Sequence, residues 1–198
     1  MERMVTASKA ALRKQLLAAR RSVANDVQAA ETRMLNQHLE LLVTSASTVC
    51  AYAPIGTEPG SIGMLDMLLR STGRVLLPVA RTSSDEIPLP LQWGEYRPGG
   101  LTPGPWGLLE PPELWLPKSA LAEASLVLVP ALAVDYRGVR LGRGGGFYDR
   151  SLADRDPHAR LIALIRDTEL LNELPSEPHD VRMTHAVTPE RGVIALSS

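Results

Sequence analysis

Two kinds of hydrophobic pattern divide the chain near residue 47. Residues 7–21 are dense in Ala, Leu, Lys, Arg and Gln, and residues 25–43 place Val27, Met34, Leu35, Leu39 and Leu42 at helical spacing. Both segments are predicted helices. Ser22 or Asn25 is the expected cap of the second, with Asp26 near its positive end. Beyond this point the apolar residues come in short unbroken runs between turn residues: Thr48–Ala53, Arg74–Val79, Leu126–Pro130 and Arg160–Ile165. Such runs read as strands buried on both faces.

Between the first two runs, Ile62, Leu65, Leu68 and Leu69 form an apolar stripe, Ser61 stands at a cap position, and Gly73 marks the end of the helix. A second strand, loop and helix unit runs from Leu126 through a glycine-rich segment and a candidate helix over 147–153 into Leu161–Ile165. Alternation of this kind predicts a mostly parallel α/β sheet flanked by helices, Rossmann-like and three-layered. Residues 81–118 hold all three tryptophans and much of the proline, which predicts irregular loops and one edge strand over 89–93. The expected organisation is one domain over 1–198, with helices 7–43 packing on an α/β core 48–196. Ligands of open α/β sheets bind beyond the carboxyl ends of the strands, so the informative loops are 54–61, 131–147 and 166–182.

Composition narrows the possible partners. A 198-residue chain with 44% apolar residues can bury roughly 70% of its unfolded surface. A net charge of −1 gives no reason to expect a nucleic-acid or membrane partner, so any anion site must be local. Only Lys9, Lys14 and Lys118 are lysines among 21 basic residues, which fits either a general arginine bias or the use of planar guanidinium groups on phosphate. The single cysteine, Cys50, lies in an apolar run and reads as a core residue. The first fifteen residues carry charges throughout, and the longest apolar run, Leu126–Val134, contains a proline, so neither a signal peptide nor a membrane span is predicted. A reducing cytoplasm is the expected location.

The segment with the most chemistry is Arg140-Leu141-Gly142-Arg143-Gly144-Gly145-Gly146-Phe147-Tyr148-Asp149. Glycines let backbone N–H groups approach an anion and permit positive φ, and a following helix start adds partial positive charge. Arg140 and Arg143 can bond phosphate oxygens in pairs, and Asp149 is a sensible ligand for an accompanying Mg²⁺. The spacing matches neither the Gly-Lys-Ser/Thr loop nor the dinucleotide fingerprint. Lys9 and Arg13, four apart, share one helical face with Cβ atoms roughly 6 Å apart; taken alone they read as a solvated pair. Glu58, taken alone, reads as a surface loop glutamate, while Trp106 could lie against an aromatic ring. Trp93 and Trp115 read as core or loop anchors. His179 and His185 fit no standard zinc spacing.

This string closely resembles the glycine loop of the 5-formyltetrahydrofolate cyclo-ligases. The likeness extends through Lys9 and Arg13, Glu58, Trp106 and Pro178-His179-Asp180. The resemblance implies ATP binding by Lys9, Arg13 and Arg140–Tyr148, folate binding by Ala53, Glu58, Trp106 and Tyr148, and Mg²⁺ held by Asp149 and Asp180. Arg143 would stabilise phosphoryl charge. It also implies the scaffold shared by sugar-phosphate isomerases and CoA transferases, small-molecule substrates, and a monomer or weak homodimer. Two positions depart from the family pattern: Thr184 replaces a second aspartate, and Gly145 stands where some members carry lysine. Three alternatives stay open at this stage. They are a non-catalytic folate- or nucleotide-binding regulatory module, a single-strand binder using the Arg-Gly-Gly segment, which the near-neutral charge disfavours, and a CoA transferase with Glu58 as nucleophile.

Overall fold

The computed structural model describes residues 8–43, 47–178 and 180–197. The cap expectation is corrected first. Helix α1 (Lys9–Arg21) opens on Ser8, whose side chain accepts from the Ala11 N–H, and it closes on Ser22. Ser22 keeps right-handed helical angles and its hydroxyl donates to the Ala19 carbonyl at 2.7 Å, so it finishes α1 and does not cap α2. Helix α2 (Asn25–Leu42) follows Ala24 with no side-chain cap, and Asn25 is its first residue.

Strand β1 (Val49–Cys50) leads by way of the predicted helix α3 (Ile62–Thr72) to β2 (Val75–Val79). Ser61 accepts from the Met64 N–H, and Gly73, left-handed at φ 80°, donates to the Leu69 carbonyl, so both punctuation residues act as read. The edge strand β3 is Gln92–Glu95, three residues later than expected. Pro88 and Pro90 have no N–H to give. The Leu89 N–H bonds Arg81 and the Leu91 N–H bonds Ser151, so pairing with β2 begins only at Gln92.

A short hairpin follows, β4 (Thr102–Pro103) with β5 (Leu109–Glu110). Next come β6 (Leu126–Pro130), β7 (Ala133–Asp135), β8 (Arg140–Leu141), helix α4 (Phe147–Ser151), β9 (Arg160–Leu164), β10 (Leu170–Leu171), β11 (His185–Thr188) and β12 (Gly192–Ala195). The main sheet has the order β12-β11-β9-β6-β1-β2-β3; its five central strands are parallel and both edge strands antiparallel. Its strands alternate between two cores. Val49, Val75, Leu77, Leu126, Leu128, Ile162 and Leu164 face α2 and α3, while Cys50, Leu76, Val127, Val129, Leu161 and Ala163 face Leu121 and Leu152 on the other side. Burial on both faces is why these strands read as unbroken apolar runs.

A second sheet, β10-β7-β8, was not foreseen. Leu12 and Leu16 of α1 pack on it beside Ala133, Val139, Leu141 and Leu174, so α1 covers this small sheet while α2 covers the large one. The turn joining β7 to β8 is organised by Asp135. Its fully buried carboxylate accepts from the Arg137 and Val139 N–H groups at 2.9 Å and from the Leu174 N–H at 3.0 Å. No helix among the described residues is long and apolar enough to cross a membrane.

Removing the Asp135 carboxylate would leave three N–H groups without their acceptor. Asp135→Ala is expected to lower stability by about 3 kcal/mol at an unchanged m-value in urea unfolding. His185 supplies a pH test. Burial, with help from Arg160, holds its pKa below the ordinary 6.5. The unfolded chain therefore takes up the proton first, and the contribution is intact above pH 6.5 and lost as pH falls through the folded value. His185→Gln should flatten the fall in urea midpoint on acidification just below pH 6.5.

Candidate active site

A cleft of about 900 Å³ opens beyond the carboxyl ends of β1, β2 and β6. Every residue to which the resemblance gives a binding, metal or catalytic role lies on its wall. Lys9 and Arg13 come from α1, Ala53 and Glu58 from the segment after β1, Trp106 from the tip of the β4–β5 hairpin, Arg140 to Asp149 from the glycine segment, and Asp180 from the last long loop. His179 lies outside the described residues. Thr184 is not on the wall: its hydroxyl is bonded to the Leu161 backbone within the sheet, and it contacts His185.

The glycine segment needs its glycines at two points. Gly144 (φ 101°) turns beneath the Arg13 guanidinium, and Gly146 (φ 71°) turns the chain into α4. Arg13 Nε donates to the Gly142 carbonyl at 2.9 Å, which ties α1 to the loop. Helix α4 has five residues, so its dipole adds little, and loop N–H groups with guanidinium charge must carry any anion. A side chain at Gly145 would press on the Phe147 ring, its Cβ only 3.1 Å away.

The charged groups on the wall are already partnered. Arg140 donates to the Pro130 carbonyl at 3.1 Å and to Asp149 at 2.9 Å, and its charge lies 5.8 Å from the centre of the Tyr148 ring. Lys9 bridges Glu177 at 3.1 Å and Asp180 at 3.0 Å. Burial works to lower the Lys9 pKa, but its bonds to Asp180 and Glu177 outweigh this and the net shift is upward. Arg143, 46% exposed, reaches across to Glu58, 9% exposed, at 3.0 Å. Glu58 also accepts from the Ile55 N–H. The Tyr148 hydroxyl is buried with no partner among the described residues, and burial followed by the Glu58 charge pushes its pKa up, so it remains a protonated donor.

Asp149 and Asp180 both line the cleft, and among the described residues no group of three or more His, Cys, Asp or Glu could close around a metal. That donor set suits Mg²⁺, which takes one or two carboxylates and completes its shell with water and phosphate oxygens. Trp106 stands 58% exposed, its ring 5.6 Å from Phe147 at a 52° tilt. Trp93 is fully buried, and Trp115 lies under Arg81.

Three wall residues with ionisable side chains were missed from the sequence: Arg20, Tyr52 and Glu177. Arg20 had a signal, since Lys9, Arg13 and Arg20 fall at intervals of four and seven on one face of α1. Tyr52 adjoins Ala53 at the strand end, and burial and Glu58 push its pKa up.

The chain matches the 5-formyltetrahydrofolate cyclo-ligase family over residues 5–189. It is 57% identical over 189 residues to the 5-formyltetrahydrofolate cyclo-ligase of Mycolicibacterium smegmatis, covering 96% of this chain and 97% of that one. It is 30% identical to the Escherichia coli (strain K12) protein of the same name, over 83% and 88% of the two chains. In fold it is similar to the 5,10-methenyltetrahydrofolate synthetase of Aquifex aeolicus, with TM-score 0.74, 22% identity and coverage of 96% and 93%. The synthetase of Mycoplasma pneumoniae superposes with TM-score 0.69 at 20% identity, covering 89% and 96%. A glycine loop between guanidinium groups, facing a carboxylate and an exposed indole across one cleft, agrees with these likenesses, and the chain belongs to the 5-formyltetrahydrofolate cyclo-ligase family.

Proposed function

We propose that the protein uses ATP to cyclise 5-formyltetrahydrofolate to 5,10-methenyltetrahydrofolate, releasing ADP and phosphate. The observation that carries this reading is the meeting, in one cleft, of an anion-binding glycine segment with a carboxylate and aromatic wall. On this reading Lys9, Arg13, Arg140 and the loop from Leu141 to Tyr148 hold the triphosphate. Ala53, Glu58, Trp106 and Tyr148 face the folate. Residues 1–198 act as one domain in the cytoplasm.

The chemical problem is a poor electrophile, because the N-formyl carbon is deactivated by amide resonance. The formyl oxygen attacks the γ-phosphorus, the bond to the β-bridging oxygen breaks, and ADP leaves. The resulting iminium phosphate has a competent leaving group. The N10 amine then attacks the activated carbon and gives up its proton, and inorganic phosphate departs with the former formyl oxygen. N10 belongs to the same molecule, so proximity is built into the substrate. The protein has mainly to align and to neutralise. Arg143 exchanges Glu58 for the transferring oxygens, while Glu58 turns to the pterin N–H groups. Arg140 and Lys9 meet the remaining phosphate charge. Mg²⁺ held by Asp149 and Asp180 would add charge neutralisation on the phosphates. No protein nucleophile is required.

Mixing protein, MgATP and 5-formyltetrahydrofolate should produce the methenyl-folate absorbance band. Arg143→Ala and Asp149→Ala should each lower kcat by roughly 10²–10³, the scale of losing one preorganised charge contact. Tight folate or nucleotide binding with no band would instead identify a non-catalytic binding module. Chelation of divalent metal should abolish the band, and restored Mg²⁺ should return it in the wild type.

A further inference from the structure

Trp106 sits at the tip of the β4–β5 hairpin in a left-handed backbone conformation, φ 56° and ψ 21°, which a residue with a Cβ adopts only when its surroundings impose it. The angle belongs to the tip itself, where Trp106 and Gly107 (φ 74°) are the central residues of a turn closed by the Leu108 N–H on the Pro105 carbonyl at 3.0 Å. The ring is mostly exposed and meets Phe147 at 5.6 Å, so where the tip stands over the cleft is set at the base of the hairpin. There Glu110, only 5% exposed, accepts two bonds from Arg81, at 2.5 and 3.0 Å. Arg81 in turn donates to the Ala80 carbonyl at 2.7 Å and lies 4.4 Å over the Trp115 ring, whose Nε1 donates to the Pro111 carbonyl. The opposite arm of the hairpin is packed onto the same carboxylate: a Cβ on Gly104 would come within 2.4 Å of Glu110 Cδ. Arg81 follows Ala80, a wall residue at the end of β2, yet neither Arg81 nor Glu110 lies on the wall.

An ion pair partly withdrawn from water adds little net stability, because desolvation offsets attraction. A two-bond guanidinium–carboxylate contact nonetheless fixes direction as well as distance. We propose that Arg81 and Glu110 are positioning residues for Trp106. Their pair fixes the hairpin to the end of β2 and so sets where the Trp106 ring stands over the folate side of the cleft, while neither side chain bonds the nucleotide loop. This rests on the reading of Trp106 as a folate contact.

The test is a cycle of Trp106→Ala, Glu110→Gln and the double variant, with KM for 5-formyltetrahydrofolate and for ATP measured separately. Each single variant should raise the folate KM about tenfold, the scale of a lost aromatic contact, with the ATP KM within about twofold of wild type. The double variant should be no worse than Trp106→Ala, because both changes act through the same ring. Arg81→Met combined with Glu110→Gln, which removes both charges and strands neither, should reproduce the split with an unchanged thermal midpoint, which separates positioning from a folding defect. An unchanged folate KM in Glu110→Gln, or full multiplication of the two effects in the double variant, would overturn the clamp while leaving Trp106 as a folate contact. An unchanged folate KM in Trp106→Ala would remove that contact and the clamp together.

Discussion

The arrangement of the cleft depends on one buried charge pair. Arg20, near the end of α1, donates through Nε and Nη2 to both oxygens of Glu169 at 2.6 and 2.8 Å, and Nη2 also donates to the Ala131 carbonyl at 2.7 Å. Both side chains are almost wholly buried. Burial works against the arginine charge and Glu169 more than restores it, so Arg20 stays ionised. Losing either partner would strand the other, at a cost of order 3–5 kcal/mol. This contact joins the N-terminal helix to the chain leaving β6 and to the turn before β10. The same helix carries Lys9 and Arg13, so one buried anchor aligns two cationic groups with the glycine segment two and three turns away.

The parallel sheet supplies the rest of the frame. Its central strands end at one edge, and the segments that leave them, Tyr52 to Glu58, Ala80, and Pro130 to Leu132, form the floor and one side of the cleft. The small sheet β10-β7-β8, tightened by the buried Asp135 carboxylate, holds the start of the glycine segment. Packed strands thus present the loops that carry the chemistry, the usual division of labour in α/β proteins.

Local sequence revealed what local forces decide. The four apolar runs became strands because both faces of the main sheet are buried, and Ser61 and Gly73 delimit α3 because capping depends on a few neighbouring residues. The string from Arg140 to Asp149 identified its wall of the cleft through residue chemistry at fixed spacing. Other features depend on distant partners and left no local trace. Arg20 meets Glu169 across 149 positions, and Arg143 meets a glutamate far upstream. The strands of the small sheet are only two or three residues long, too short for a period to register. The edge strand was displaced by two prolines and by a serine hydroxyl from α4 that no window around residue 91 contains.

Most cations of the wall come with their own counter-charges, Lys9 with Glu177 and Asp180, Arg140 with Asp149, and Arg143 with Glu58, while Arg13 is held by the Gly142 carbonyl. Opposite charges a few ångströms apart form dipoles, whose potential decays faster with distance than that of a lone charge. The cleft therefore projects little field into solution, in keeping with a chain whose net charge is −1. An anionic substrate is captured at contact by exchange of partners instead of being steered from afar. Added salt weakens the internal pairs along with the new ones, so encounter with this cleft depends less on ionic strength than encounter with an uncompensated basic groove of the same size.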